Sequence, residues 1–386
     1  MSMKPFVASH LAALLAICCA LPVASMGQAR NFQVNPAAGP TGVVVKGKFL
    51  GQIFGYDIDQ NGTEGLLTEA KSQANGNLVA AIETFDQTTG KIVKVVQQLQ
   101  GQDDFLTVGV FGTSVGLVER EHEISFLNLQ RTFSVLNPLS GNAITGKWTP
   151  PIGKDHILAE ASRTQGSTNS AFFAMDNSGN FIPWIFSSNV AANTFGKVVH
   201  ITDSFNFGSV TPPMAYNPQT NQAVLGGGDG CFGCFPIFGV ADLKKGTFTE
   251  FNGAGFGFVN GIAMDTADNL VMTTTEDDAS VEIYDISTFA TLAVFALPNS
   301  GENQFFSGGD VEFDSTNNVF LVAQPNSSSA SSGSSIYVYD TSGNLQETIN
   351  GFNFVVGAHI AVNPSKRLGY VDGVKPNLNQ VQQFAY

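Results

Sequence analysis

The stretch IAMDTADNLVMTTT, residues 262–275, is two apolar runs joined by a polar turn that opens on Asp265. The same pattern occurs at MAYNPQTNQAVLGG (214–227), VEFDSTNNVFLVAQ (311–324) and IAVNPSKRLGYVDG (360–373). The residues that open the four turns are Asn217, Asp265, Asp314 and Asn363, spaced by 48, 49 and 49 residues. A fixed period of this length marks a stacked array of one supersecondary unit. Short apolar runs flanking Asx-rich turns read as β-hairpins. Each unit then adds two more runs: VEIYDIS and TLAVFAL after Asp265, SIYVYDTSG and LQETING after Asp314. Four short strands per unit make a propeller blade, and a blade that cannot cover both its faces stacks on neighbours in a ring.

Extended backward, the period finds first strands in HILAEAS near 156, FLTVGVFG near 105 and IFGYDID near 53. Unit starts then fall near 53, 105, 156, 213, 262, 311 and 360. The expected fold is all-β: one domain over residues 30–386, a seven-bladed β-propeller of four-stranded antiparallel blades. The last unit, from AHIAVN to VQQFAY, is one strand short. TGVVVKGKF (41–49) precedes the first unit and is expected to supply that strand, closing the ring and hiding an edge that would otherwise invite aggregation. Composition agrees, with 41 Gly and 32 Phe, the aromatics expected to fill the layers between blades.

Residues 1–29 have the layout of a secretory signal. Lys4 sits in a short polar start, an apolar run follows from Leu11 to Ala20, and small residues come at Ala24, Ser25, Gly27 and Ala29. Cleavage is expected after Ser25 or Ala29. The run is too short to span a bilayer, and no later segment is long and apolar enough to do so. Cys18 and Cys19 raise a lipoprotein alternative, which Ile17, in place of a small residue, opposes. The expected location is secreted or periplasmic.

The formal net charge is −14, and loss of Lys4 with the leader makes it one unit more negative. That opposes a nucleic-acid partner or an anionic membrane surface and favours cations. The expectation is a monomer that binds a small molecule or a protein. Beyond the leader only Cys231 and Cys234 remain, in GCFGCF. A local disulfide, two thiols, or a redox or metal pair are the alternatives for an exported chain, the disulfide being preferred because Gly and Phe surround the pair. PNSSSASSGSS (325–335) is a low-complexity loop, and Asn326 and Asn61 sit in glycan-acceptor triplets.

The first hairpin of blade 1 differs from the others. YDIDQNGTEG places Asp57, Asp59 and Asn61 at alternate positions before Gly62, with Thr63 offering a carbonyl and Glu64 following. Hard oxygens without nitrogen or sulfur suit Ca²⁺. An Asx-rich turn without metal is the alternative. The stretch resembles the calcium loop of integrin-type FG-GAP propeller repeats, with Gly65 standing where that family has its last Asp. The resemblance implies a structural ion.

Propeller ligands bind where first strands begin, at the channel mouth. Asn260 in FVNGIAMD and Asp310 in SGGDVEFD open adjacent blades, with His359 and His156 at the same level on blades 7 and 3. The four form a candidate mixed oxygen and nitrogen site. NGIAMD through DNLVMTT, with GDVEFDSTNNVFLVAQ, resembles the SMP-30/gluconolactonase group, propellers of the NHL/YVTN type. The resemblance implies that Asn260 and Asp310 help hold a catalytic divalent cation for a lactonase- or esterase-like hydrolase. The bland alternative is that Asn260 caps a turn and Asp310 satisfies backbone N–H groups. Asp310 lies one residue closer to its turn anchor than Asn260 does, so strand alternation is expected to point one of the two away.

GTSVG (112–116) matches the pattern of a nucleophile elbow, but LVEREHEIS after it alternates like a strand, so a hairpin turn is expected. In that strand Glu119, Glu121 and Glu123 share one face, expected to be solvated, with Arg120 and His122 opposite. No catalytic residue is assigned from the sequence.

Overall fold

The structure, a computed structural model, describes residues 33–386 except 34, 102, 113, 126–127, 153–155, 163, 177–182, 202–211, 229–234, 256, 276–279, 299–308, 326–332, 353, 355–357 and 374–378. Seven four-stranded antiparallel sheets stand in a ring. The first strands of the blades are Gln52–Ile58, Asp103–Phe111, His156–Ala161, Met214–Asn217, Val259–Asp265, Val311–Asp314 and Ile360–Asn363. These inner strands line the central channel. No helix among the described residues is long and apolar enough to cross a membrane.

Blade 7 takes its outer strand from the other end of the chain. Gly39–Lys46 pairs antiparallel with Gln380–Ala385, with Val45 opposite Val381 and fully buried. The closing strand therefore runs two to three residues ahead of the expected 41–49.

The period arises from one turn device. The Oδ1 of Asp314 accepts the N–H groups of Thr316 and Asn317 at 2.8 and 2.9 Å. Asp265 does the same with Ala267 and Asn217 with Gln219, both at 2.9 Å. The last turn residue is left-handed, with φ of 57° at Asn221, 61° at Asn269, 58° at Asn318 and 51° at Arg367. Asn, with its short polar side chain, tolerates that region best, which explains its recurrence. Where the anchor is Asn, its amide also reaches the next blade: Asn217 Nδ2 donates to the Thr266 carbonyl at 3.1 Å.

Between the turns, apolar side chains fill each of the seven joints between neighbouring blades. Aromatics dominate the joint of blades 2 and 3, where Trp148 meets Phe133, Phe172, Phe186 and Phe195 with ring centroids 4.7–6.2 Å apart. The Trp148 Nε1–H donates to Ser188 Oγ at 3.0 Å, so the indole is buried without an orphaned donor.

The joint of blades 7 and 1 is also polar, and fully buried Gln87 is its hub. Its Nε2 donates to the carbonyls of Asp59 and Glu64, both at 2.8 Å, and its Oε1 accepts from Asn363 Nδ2 at 2.7 Å. Its carbonyl accepts from the Tyr370 hydroxyl at 2.8 Å and from Gln383 Nε2 at 2.6 Å.

Two buried carboxyl groups hold the linker between the closing strand and blade 1. Glu69 accepts the N–H groups of Phe49 and Gly51 at 2.7 and 2.8 Å, and Glu83 accepts that of Lys48 at 3.0 Å. Blade 5 repeats the device, with buried Glu282 accepting from the backbones of Ala254 and Gly255.

Candidate functional site

The channel holds two cavities. One of about 350 Å³ is walled by blades 3 to 7, and one of about 450 Å³ by blades 1, 2, 3 and 7. His359 and Ala161 line both, so His359 stands where the two halves meet.

His359 is held from three sides. Its Nδ1 lies 2.6 Å from Asp310 Oδ2. A carboxylate only accepts, so Nδ1 carries the proton of this bond. Its N–H donates to Asp372 Oδ1 at 2.7 Å, and its carbonyl lies 2.6 Å from the Tyr56 hydroxyl, whose ring sits 5.5 Å from the imidazole. Asp310 is equally committed. Its Oδ1 accepts from Val311 N and its Oδ2 from Ile360 N, both at 2.9 Å. Asp310 thus ties blade 6 to blade 7 and orients an imidazole at the channel wall. Desolvation raises the pKa of Asp372, partly offset by His359 and its backbone N–H, while the nearby Asp310 raises it further.

Asn260 and Asp310 line the same cavity, despite the one-residue offset between them. The reason is a register shift between Val259 and Gly261, a bulge that absorbs the extra residue and corrects the expected divergence. Gly261 makes the approach close: a Cβ there would lie 2.3 Å from the Gly309 carbonyl oxygen and 2.9 Å from the Asp310 Cα. His156 begins its strand as expected, opposite Asp176, but its side chain lies outside the described residues, as do Cys231 and Cys234.

The residues proposed for a divalent cation here do not gather as a ligand shell. Both Asp310 oxygens accept N–H groups. Among the described residues no group of three or more His, Cys, Asp or Glu side chains converges.

The blade-1 hairpin satisfies its oxygens with amides. Asp57 is buried and turned toward blade 2, its Oδ2 accepting from Val110 N at 2.6 Å and its Oδ1 from Ile58 N at 2.8 Å. Asp59 Oδ1 accepts from Asn61 N and Gly62 N at 3.0 and 2.8 Å. The Asp59 and Glu64 carbonyls accept from Gln87 Nε2, the Gly62 carbonyl from Asn363 Nδ2 at 3.1 Å, and the Thr63 carbonyl from Gln87 N at 2.7 Å. Glu64 Oε2 is buried without a hydrogen-bond partner, and desolvation raises this carboxyl's pKa. Asp57, Asp59, Asn61, Thr63 and Glu64 therefore do not converge on one point, and in this arrangement they do not fit a calcium shell.

On blade 2, residues 112–114 form the turn between Asp103–Phe111 and Val115–Ser125, as read for GTSVG. The glutamate face is not solvated at Glu119, which is 2% exposed. Arg131 pairs with Glu119 at 3.0 Å and with Glu121, so a cation is already supplied from the next strand. The side chain of Glu123 lies outside the described residues. Arg120 and His122, opposite, both engage Asp103.

Sequence reasoning missed Tyr56, Glu312 and Asp372 as channel residues. Glu312 could have been found: it is the inward partner of strand alternation in VEFD, two residues after Asp310.

No protein-family model matches the sequence, and no curated protein matches it. Among solved structures, a chain in the "Crystal Structure of Mitotic Checkpoint Complex" is similar, with a TM-score of 0.55 and 13% identity over 96% of this chain and 98% of that one. At that identity the likeness is one of fold alone. The chain is a seven-bladed β-propeller.

Proposed function

We propose that this propeller is an exported binding module whose channel takes a small, positively charged molecule at the mouth beside Asn260, Asp310 and His359. The observation that carries the reading is the charge of the wall. Asp310, Glu312 and Asp372 line the two cavities, and among their described lining residues there is no Lys or Arg. Low-dielectric walls bearing one sign of charge focus the field on a counter-ion. Tyr216, Phe313 and Tyr56 add aromatic surface to the same walls, which suits an alkylammonium ion. A site of about 350 Å³ is in the range for a small ligand. Export rests on the leader-like residues 1–29. Calorimetric titration of a panel of primary to quaternary amines, with neutral isosteres, tests the reading. Binding of amines that weakens at least tenfold in Glu312→Gln supports it. Equal binding of the neutral isosteres would sink it.

A second reading, hydrolysis of a lactone or ester, is favoured by the His359–Asp310 pair alone. A carboxylate that fixes the imidazole through Nδ1 is the arrangement a general base needs. In this reading Asp310 positions His359 and does not ligate a metal. Turnover across a lactone and ester panel that disappears in His359→Gln supports it, and flat rates favour the binder.

A further inference from the structure

The turn after the first strand has four residues in blades 4 to 7: 218–221, 266–269, 315–318 and 364–367. In blade 3 it has seven, 162–168. Its described residues lie over the channel end opposite His359 and bond to four other blades. Gln165 Oε1 accepts from Ser315 N at 2.6 Å and from the Ser315 hydroxyl at 2.5 Å, while its Nε2 donates to Thr316 Oγ1 at 3.3 Å, all on blade 6. Gly166 N donates to Gln60 Oε1 of blade 1 at 3.0 Å. Gly112 N of blade 2 donates to the Ser167 carbonyl at 2.7 Å. Thr164 Oγ1 donates to the Tyr216 carbonyl of blade 4 at 2.7 Å. Gly166, at φ 71°, allows the reversal between these arms. A glutamine side chain gives up considerable rotamer freedom when fixed, and here three hydrogen bonds across the ring fix it. Thr164 and Gln165 also line the 350 Å³ cavity, so they form its floor.

We propose that residues 164–168 are a strap sealing the turn-side mouth of the channel. The channel is then a blind pocket opening beside Asn260, Asp310 and His359, and Gln165 sets how deep a ligand reaches. Five residue steps along the blade-6 inner strand, from Asp310 to Ser315, make that depth roughly 16 Å. The ligand part of the proposal rests on the channel reading above, whereas the seal does not.

A thiol reporter separates the two. Ala263→Cys lines the cavity midway along the blade-5 inner strand, in a full chain whose four cysteines are replaced by serine. Its rate of modification by a small cationic methanethiosulfonate is measured without any ligand. Replacing residues 162–168 by the four-residue turn of blade 5, Thr-Ala-Asp-Asn, is expected to raise the rate at least tenfold. An unchanged rate in that folded variant overturns the seal. If the shortened chain does not fold, Gln165→Ala replaces it. Faster hydrogen exchange at the Ser315 amide together with at least threefold faster modification then supports the strap, and faster exchange with an unchanged rate overturns it. Ala215→Cys on blade 4 is the second reporter. Failure of every amine to bind would sink the channel reading and leave this measurement intact.

Discussion

Glu69 and Glu83, on adjacent strands of blade 1, hydrogen-bond carboxyl to carboxyl with neither side chain reached by solvent. Such a bond exists only while one of the two holds a proton. Desolvation, with the charge of Glu69 beside it, lifts the Glu83 pKa to about 7, against opposing help from the Lys48 backbone and charge. Glu83 Oε1 has no hydrogen-bond partner, so nothing else offsets its charge when the proton leaves.

Stability should therefore fall between about pH 4.5 and 7. Over that window the folded chain holds a proton that the unfolded chain has lost, so raising pH favours unfolding. Burial of Glu119 lifts its pKa to about 7 as well, with the same sign. For Glu83 alone the loss is up to about 3 kcal/mol. Glu83→Gln keeps an acceptor for Lys48 and can donate to Glu69. Thermal melts from pH 5 to 8 should slope less in this variant, which should be the more stable chain at pH 8. Parallel slopes in the two proteins would refute the shared proton.

Gln87→Leu should cost about 3 kcal/mol or more. The change strands the Asp59 and Glu64 carbonyls and the Asn363 amide in a dry joint, and each buried orphan costs on the order of 1–3 kcal/mol. Urea unfolding measures it. A loss below about 1 kcal/mol would mean that water enters the joint and replaces the amide.

Calcium removal should leave the melting midpoint unchanged. The Gln87 and Asn363 amides already occupy the carbonyls that an ion would draw together. Melts with a chelator and with millimolar Ca²⁺ check this. A site filled at 100 times its Kd would add about 2.7 kcal/mol. A midpoint that rises with calcium would show that these amides yield to the ion, and would restore the loop at Asp57, Asp59 and Asn61 as a metal site.

Asp310→Ala should unfasten His359. The substitution leaves Val311 N and Ile360 N without their acceptor and releases the imidazole. The expected stability loss is about 2 kcal/mol. Asp310→Asn keeps an oxygen for the backbone and should recover most of it. The His359 ring should change its NMR tautomer signature in both variants. An unmoved signature would mean that Tyr56 and Asp372 suffice to hold the ring.

Most of the fold is legible because its signal is local. The Asx anchor, the two-residue spacing of strand side chains and the left-handed Asn all lie within a dozen residues, repeated. The missing outer strand is equally readable, since a propeller with an odd strand over must borrow one. What resists reading is direction. Asn260 reaches the cavity only because a bulge reverses the alternation that its position implies, and no residue type announces that bulge. Gln165 resists for a different reason. Its partners lie 150 residues away, so only the extra length of its turn betrays it. Glu69 and Glu83 sit in GLLTEAK and VAAIETF, charged residues inside apolar runs, and that misfit is the trace they leave.

The strand at Gly39–Lys46 has a consequence for how the chain is made. It leaves the ribosome first among the strands, yet the segment it pairs with, Gln380–Ala385, follows about 330 residues later. Throughout synthesis the earliest-made strand must wait with both edges bare, and six finished blades form an open arc. Closure is then a late, all-or-none event, and the period before it is when a nascent chain of this kind is most exposed to capture by its neighbours.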